Sequence, residues 1–143
     1  MHIATKLGQL ARWHGDHSAI VDYSGAWSFR QLYARITRFG NAMHGIGLEA
    51  GDRIALLIPD VREYLEADYG AMAAGFVRVP IDPRLTRREL VALLRHAQAR
   101  ALITHLDFAE NVQGLRHEVS SASAAAGSDL ITKNCWEEHP SKR

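Results

Sequence analysis

The sequence is short of cysteine, of long apolar runs and of net charge. Its single cysteine, Cys135, has no partner within the chain, so an internal disulfide is excluded and a reducing compartment fits. No apolar stretch approaches the roughly 18 residues of a membrane-crossing helix, and no membrane partner is expected. Charges nearly cancel, 17 Lys and Arg against 16 Asp and Glu, which argues for no obligatory acidic partner. Arginines gather between Arg78 and Arg100. Neither a nucleic-acid reading motif nor an aromatic platform accompanies them, so nucleic acid is not an expected partner. The first 14 residues carry Lys6 and Arg12 without an acid, yet lack the Ser and Arg enrichment of a transit peptide, and a cytoplasmic protein is expected.

What is present is the composition of one ordinary globular domain. At 143 residues, 47% of them hydrophobic and 23% charged, the chain is long enough to bury about two-thirds of its unfolded surface.

Helical and strand patterns alternate along it. Ile3, Leu7, Leu10 and Ala11 fall at helical spacing and predict a surface helix over residues 3–13. Ala19 to Tyr23, the turn Ser24-Gly25 and Ala26-Trp27 predict a hairpin. Ser28, with Gln31 at the reciprocal capping position, opens a helix whose stripe is Leu32, Ile36, Phe39, Met43 and Ile46. Gly47 stops it, and Leu48 is placed for the apolar contact that accompanies such an ending. Ile54 to Ile58 predicts a buried strand. Asp60 is then expected to cap a helix that turns Val61, Leu65, Met72 and interleaved alanines inward.

Gly75 closes that helix. Phe76 to Ile81 predicts an interior strand of a parallel sheet, with Pro80 ending it or removing pairing on one side. Asp82-Pro83 is a turn, and Thr86 with Glu89 forms a second capping box before a helix whose inner face is Leu90, Leu93, Leu94 and Ala97. Ala101 to Thr104 predicts a third strand, and Asp107 the cap of a last helix carrying Phe108, Val112, Leu115 and Val119. Residues 1–118 are thus expected to form an α/β subdomain. Residues 119–143, of low complexity from Ser120 to Ser128, are expected to be a linker and disordered tail, in which Leu130-Ile131-Thr132 is too short to assign.

The expected fold class is α/β, a partial doubly wound, mainly parallel sheet with helices on both faces. Ligands of such sheets sit beyond the carboxyl ends of the strands, which places Pro59-Asp60, Asp82-Pro83-Arg84 and Thr104-His105 at the candidate site. Position alone makes Asp60 a helix cap and Asp82 a turn former. His105 has nothing at a fixed spacing to orient it as an acid or base. Two other patterns fail on context. His14-Gly15-Asp16-His17 has no further ligand to close a metal site. Gly45, Gly47 and Gly51 follow a helix and precede a strand, the reverse of a dinucleotide fingerprint.

Four segments carry a family resemblance. Ala73-Ala74-Gly75, with Val77, Val79 and Pro80-Ile81-Asp82, resembles the second core motif of the adenylate-forming ligases: acyl-CoA synthetases, peptide-synthetase adenylation domains and luciferases. Trp27-Ser28-Phe29-Arg30-Gln31-Leu32 is similar to their first core motif, and Gly51-Asp52-Arg53-Ile54-Ala55 to the Gly-Asp-Arg-Val-Ala strand between the two. Pro83-Arg84-Leu85-Thr86, with Glu89-Leu90, is similar to the segment that follows. Together the matches span roughly residues 5 to 105.

The resemblance implies the amino-terminal subdomain of a ligase that uses ATP and magnesium to turn a fatty or other carboxylic acid into an acyl adenylate. The acyl group then passes to coenzyme A or a pantetheine thiol. Such chemistry needs a phosphate cradle, in the family a Ser/Thr/Gly-rich loop ending in Pro-Lys-Gly, and no such motif is present here. No catalytic residue and no metal ligand is therefore carried over, and no cofactor is expected on this chain alone. Carboxylate and ATP would be partners only once missing regions complete the site. The one binding residue carried over is Arg84, whose counterpart in some coenzyme A ligases lies near the coenzyme's phosphates, a position suited to a planar, permanently charged fork.

Two expectations follow. The chain is a truncated ligase fragment, through a premature stop, a frameshift or design, and inactive alone. The alternative is a stand-alone interaction module that pairs with another chain. Both expect open sheet edges through which homo- or hetero-oligomers can form.

Overall fold

The computed structural model describes residues 2–120 and 131–134. In chain order the elements are α1 (Ile3–Trp13), β1 (Ser18–Asp22), β2 (Gly25–Ser28), α2 (Phe29–Gly45), β3 (Arg53–Leu57), α3 (Arg62–Ala73), β4 (Val77–Pro80), α4 (Arg87–His96) and β5 (Ala101–Thr104). A 3₁₀ turn (Leu106–Phe108), α5 (Ala109–Val112), α6 (Leu115–Ser120) and β6 (Ile131–Asn134) follow. Two compact units result, one of Met1–Gly51 and Asp60–Val77, the other of Asp52–Pro59 and Arg78–Arg143.

In the first unit β1 and β2 form the expected antiparallel hairpin, and Leu7, Leu32 and Ile36 make a small core with Trp27 and Tyr69 at its border. Ser28 accepts from the Gln31 backbone while the Gln31 side chain returns to the Ser28 N–H, so the predicted capping box starts α2. Both α2 and α3 end on the closure that the sequence signals. Leu48 N–H donates to Met43 C=O at 3.2 Å, and Phe76 N–H donates to Ala71 C=O at 2.9 Å, with Leu48 and Phe76 both buried. Gly75 at φ +86° supplies the left-handed residue between. Between the two endings stands His44, its Nδ1 2.9 Å from Leu48 O and its Nε2 3.2 Å from Ala74 O, with the ring against Phe76.

The inner face of α3 differs from the expected one. Val61, Leu65 and Met72 are half-buried, and the buried positions are Glu66, Ala67, Asp68, Gly70 and Ala71. Small residues are needed because a Cβ on Gly70 would stand 2.7 Å from the Phe39 ring, and one on Gly40 2.8 Å from the Ala74 Cβ. The acids are held by partners. Glu66 Oε2 accepts from Arg35 at 2.8 and 2.7 Å, and the guanidinium carbons of Arg35 and Arg62 lie 4.2 and 4.6 Å from the Trp27 ring centre. Arg62 also reaches Asp22 of the hairpin.

Asp60 does not cap α3. The cap position is Val61, which makes no side-chain hydrogen bond, and Asp60 lies exposed before it.

The second unit holds the sheet, in the order β4-β3-β5-β6. β3, β5 and β6 run parallel in register, Ile54 opposite Ala101 and Ala101 opposite Ile131. On one face Ala55, Leu57 and Leu102 pack with Leu90, Val91 and Leu94 of α4 and with Val112, Leu115 and Val119. Ile54, Leu56 and Ile103 of the other face are also closed to solvent, which explains why these strands carry continuous aliphatic runs. The fold is α/β, with a parallel sheet flanked by helices.

Three expectations are corrected here. β4 is an edge strand among the described residues, not an interior one: Val77 is 49% exposed, and Arg78 and Pro80 are exposed as well. Pro80, which lacks an N–H, suits that place. The last helix is broken, because Gly114 at φ +75° separates α5 from α6. Asp107 caps neither piece: His105, whose Nδ1 accepts from Asp107 N–H, caps the 3₁₀ turn, and α5 starts after Phe108 without a side-chain cap. Of Leu130-Ile131-Thr132, too short to assign within the expected tail, Ile131 and Thr132 fall in β6 (Ile131–Asn134), and tail residues 121–130 and 135–143 lie outside the described residues.

Candidate functional site

Beyond the carboxyl ends of β3 and β4, within the second unit, lies a cleft of about 380 Å³. Its floor is Leu57, Ile81, Leu85 and Leu90, and its rim Asp82, Arg87, Glu110 and Asn111. The backbone sets this up. Ile81 N–H donates to Leu56 C=O, so the chain stays beside β3 for one residue past β4 and then turns at Asp82-Pro83.

That turn is built by Asp82. Its Oδ1 accepts the Arg84 backbone N–H at 2.9 Å, and its C=O accepts the Leu85 N–H at 3.2 Å. The same carboxylate takes the guanidinium of Arg84 in a fork. Nε stands 3.0 and 3.2 Å from the two oxygens, and Nη2 2.7 Å from Oδ2. These hydrogen bonds from the Arg84 side chain and backbone pull Asp82 down to about 2, so it is ionised throughout the neutral range, and they raise Arg84 in turn. The Arg84 side chain is 89% exposed. It is thus both accessible and already paired.

Arg87 is the hub of the opposite rim. It donates to the Glu118 carboxylate, to Asn111 C=O at 3.0 Å and to Gln113 C=O at 2.7 Å, which caps the end of α5 and ties α4 to α6. Its charge is spent on structure. Thr86 and Glu89 complete the predicted capping box, and the Thr86 hydroxyl and N–H lower the Glu89 carboxyl.

Of the residues placed at the site by sequence, Asp82 and Arg84 stand together. His105 lies beyond the end of β5, its N–H donating to Leu57 C=O and its Nδ1 3.2 Å from an Asp107 oxygen, where it serves the local cap. Asp60 belongs to the other unit. The Arg87 hub was missed by the sequence reading, since its partners are 24 to 31 positions away.

A nucleotide triphosphate needs free backbone N–H groups. Pro83 has none, while Arg84, Leu85 and Thr86 donate theirs to Asp82 Oδ1, Asp82 O and Glu89 Oε2. The backbone of this turn therefore offers no amide cradle for a phosphate chain. Among the described residues no group of three or more His, Cys, Asp or Glu is arranged to hold a metal ion, and no helix is long and apolar enough to cross a membrane.

A family model described as AMP-binding enzyme matches residues 8–141. The chain is 33% identical over 122 residues to the 3-methylmercaptopropionyl-CoA ligase of Ruegeria lacuscaerulensis, covering 82% of this chain and 23% of that protein. It is 32% identical over 108 residues to the long-chain-fatty-acid–CoA ligase of Salmonella typhimurium, covering 75% and 19%. Among solved structures, the benzoate CoA ligase of Burkholderia xenovorans LB400 superposes with a TM-score of 0.77 at 28% identity, over 94% of this chain and 26% of that one. The chain thus spans less than a quarter of the length of these two curated relatives. With nearly all of its length inside the match, this chain belongs to the AMP-binding enzyme family, whose acyl-CoA ligases it resembles in sequence and in fold.

Proposed function

We propose that the chain is the amino-terminal part of an ATP-dependent ligase that activates a carboxylic acid as its acyl adenylate and passes it to coenzyme A or a pantetheine thiol. The phosphate-binding loop and the magnesium site are supplied by residues it does not contain, and the chain alone is inactive. The observation that carries this reading is the pairing of a family match over residues 8–141 with a turn at Asp82 to Thr86 whose amides are already committed. Relatives named for a thioether acid and for long-chain fatty acids leave the acid open. The lone cysteine supports a reducing, cytoplasmic setting. Isothermal titration of the chain with ATP and magnesium is expected to give no heat of binding. A saturable isotherm, or turnover of ATP with any carboxylic acid, would contradict the proposal.

Arg84 is assigned the coenzyme's phosphates. In a full-length relative carrying arginine at the matching position, the Arg84→Ala change is expected to raise KM for coenzyme A about five- to tenfold, the loss of one charge-assisted contact, with kcat little changed. An unaltered KM removes the assignment.

A second reading, a stand-alone interaction module, is favoured by the open edge at β4, where Val77 and Arg78 meet solvent. Light scattering separates the two: a module gives a defined dimer or heteromer, a fragment gives monomer and polydisperse aggregate.

A further inference from the structure

We propose that His44 is a proton-operated clasp: as an imidazolium it ties the end of α2 to the end of α3, and losing its proton as pH rises releases one of the two ties. The geometry carries it. Nδ1 stands 2.9 Å from Leu48 O and Nε2 3.2 Å from Ala74 O, and a backbone carbonyl has no proton to give. A neutral imidazole has one N–H, so either tautomer would aim the lone pair of its other nitrogen at a carbonyl oxygen. Only the doubly protonated ring satisfies both contacts.

The surroundings favour that cation. His44 lies in the last turn of α2 and Ala74 is the C-cap of α3, so the ring stands where the negative ends of two helices meet, and the Phe76 ring, its centre 4.7 Å away, braces it. The nearest titratable groups along the elements packed against it are Arg38 on α2, Glu49 after Leu48, and Asp68 and Tyr69 on α3. Among the described residues none of them bonds or pairs with the ring. The closed clasp holds a proton that an open imidazole gives up between about pH 5 and 8, so closure is favoured on the acid side and weakens as pH rises. A second tie at the same junction, Gly51 N–H to Gly75 C=O at 2.8 Å, has no titratable group. Opening the clasp therefore loosens the junction without undoing it.

The test uses the full chain, ¹⁵N-labelled, with amide exchange at Leu48 and Gly51 followed at about pH 5.5 and again at about pH 8, each corrected for the intrinsic base-catalysed rate. Wild type is expected to lose about two- to fivefold in protection at the higher pH, the size of a cation's effect at a helix carboxyl end. Both ring N–H protons of His44, which exchange too fast to see in a histidine open to water, are expected as resolved resonances at the lower pH. His44→Gln cannot titrate, and because His44 is exposed the change leaves the fold intact. It is expected to show equal protection at both pH values, at the level of wild type in alkali. A single ring N–H resonance at the lower pH, protection in wild type that ignores pH, or the same pH dependence in His44→Gln would overturn the proposal.

Discussion

Leu102→Ala is expected to lower the unfolding free energy by about 3 kcal/mol, and the melting temperature by about 10 °C. Leu102 sits in the middle of β5, fully closed to solvent, between Ala55 and Leu57 of β3 on one side and the inner positions of α4 and α6 above. Deleting its three distal carbons removes their transfer free energy and leaves a void that a two-layer contact cannot collapse to fill, because Leu94 and Leu115 are themselves fully buried. Urea unfolding should show a lower midpoint at an unchanged slope. Val77→Ala on the exposed edge strand is the control, expected within about 0.5 kcal/mol of wild type. A loss under about 1 kcal/mol for Leu102→Ala would mean that β5 is not the centre of this core.

Glu66→Ala carries the second largest effect, a loss of about 2–4 kcal/mol. The two side chains of the pair are only 11% and 19% exposed, so solvent screens the interaction little. Removing Glu66 strands the Arg35 guanidinium, which the Trp27 ring alone cannot satisfy. The damage should spread to the hairpin, because Arg62 shares that ring and holds Asp22. Glu66→Gln keeps an acceptor and should cost less. In a double-mutant cycle with Arg35→Ala the pair should show coupling of about 1–2 kcal/mol; additive losses would mean that the contact contributes nothing of its own.

Those two residues mark what the sequence does and does not disclose. Leu102 was legible, since the apolar run Ala101-Leu102-Ile103 with the β-branched Thr104, between a charged segment and a turn, announces a buried parallel strand. The helix starts at Ser28 and Thr86, and the ends near Gly47 and Gly75, were legible for a similar reason: each is decided by residues within six positions of one another. Glu66 was not. Nothing local distinguishes a carboxylate that will be buried from one that will face water, and the partner that makes burial tolerable is 31 positions away. The outer place of β4 was hidden too, because Val77 and Val79 have the composition of an interior strand and only the order β4-β3-β5-β6 reveals the open side. Of the site, the Asp82 turn was legible as a turn, whereas the fork between Asp82 and Arg84 depends on a rotamer that composition does not specify.

Arg87 also sets the length of the chain that follows β5. A side chain rooted in the first turn of α4 grips carbonyls at Asn111 and Gln113 and the carboxylate of Glu118 at once, so it works as a gauge block for the spacing of that stretch. Adding or deleting a single residue between Asn111 and Glu118 would pull at least one of those partners out of reach. Natural variation in length is better absorbed upstream, between His105 and Ala109, where the chain owes Arg87 nothing.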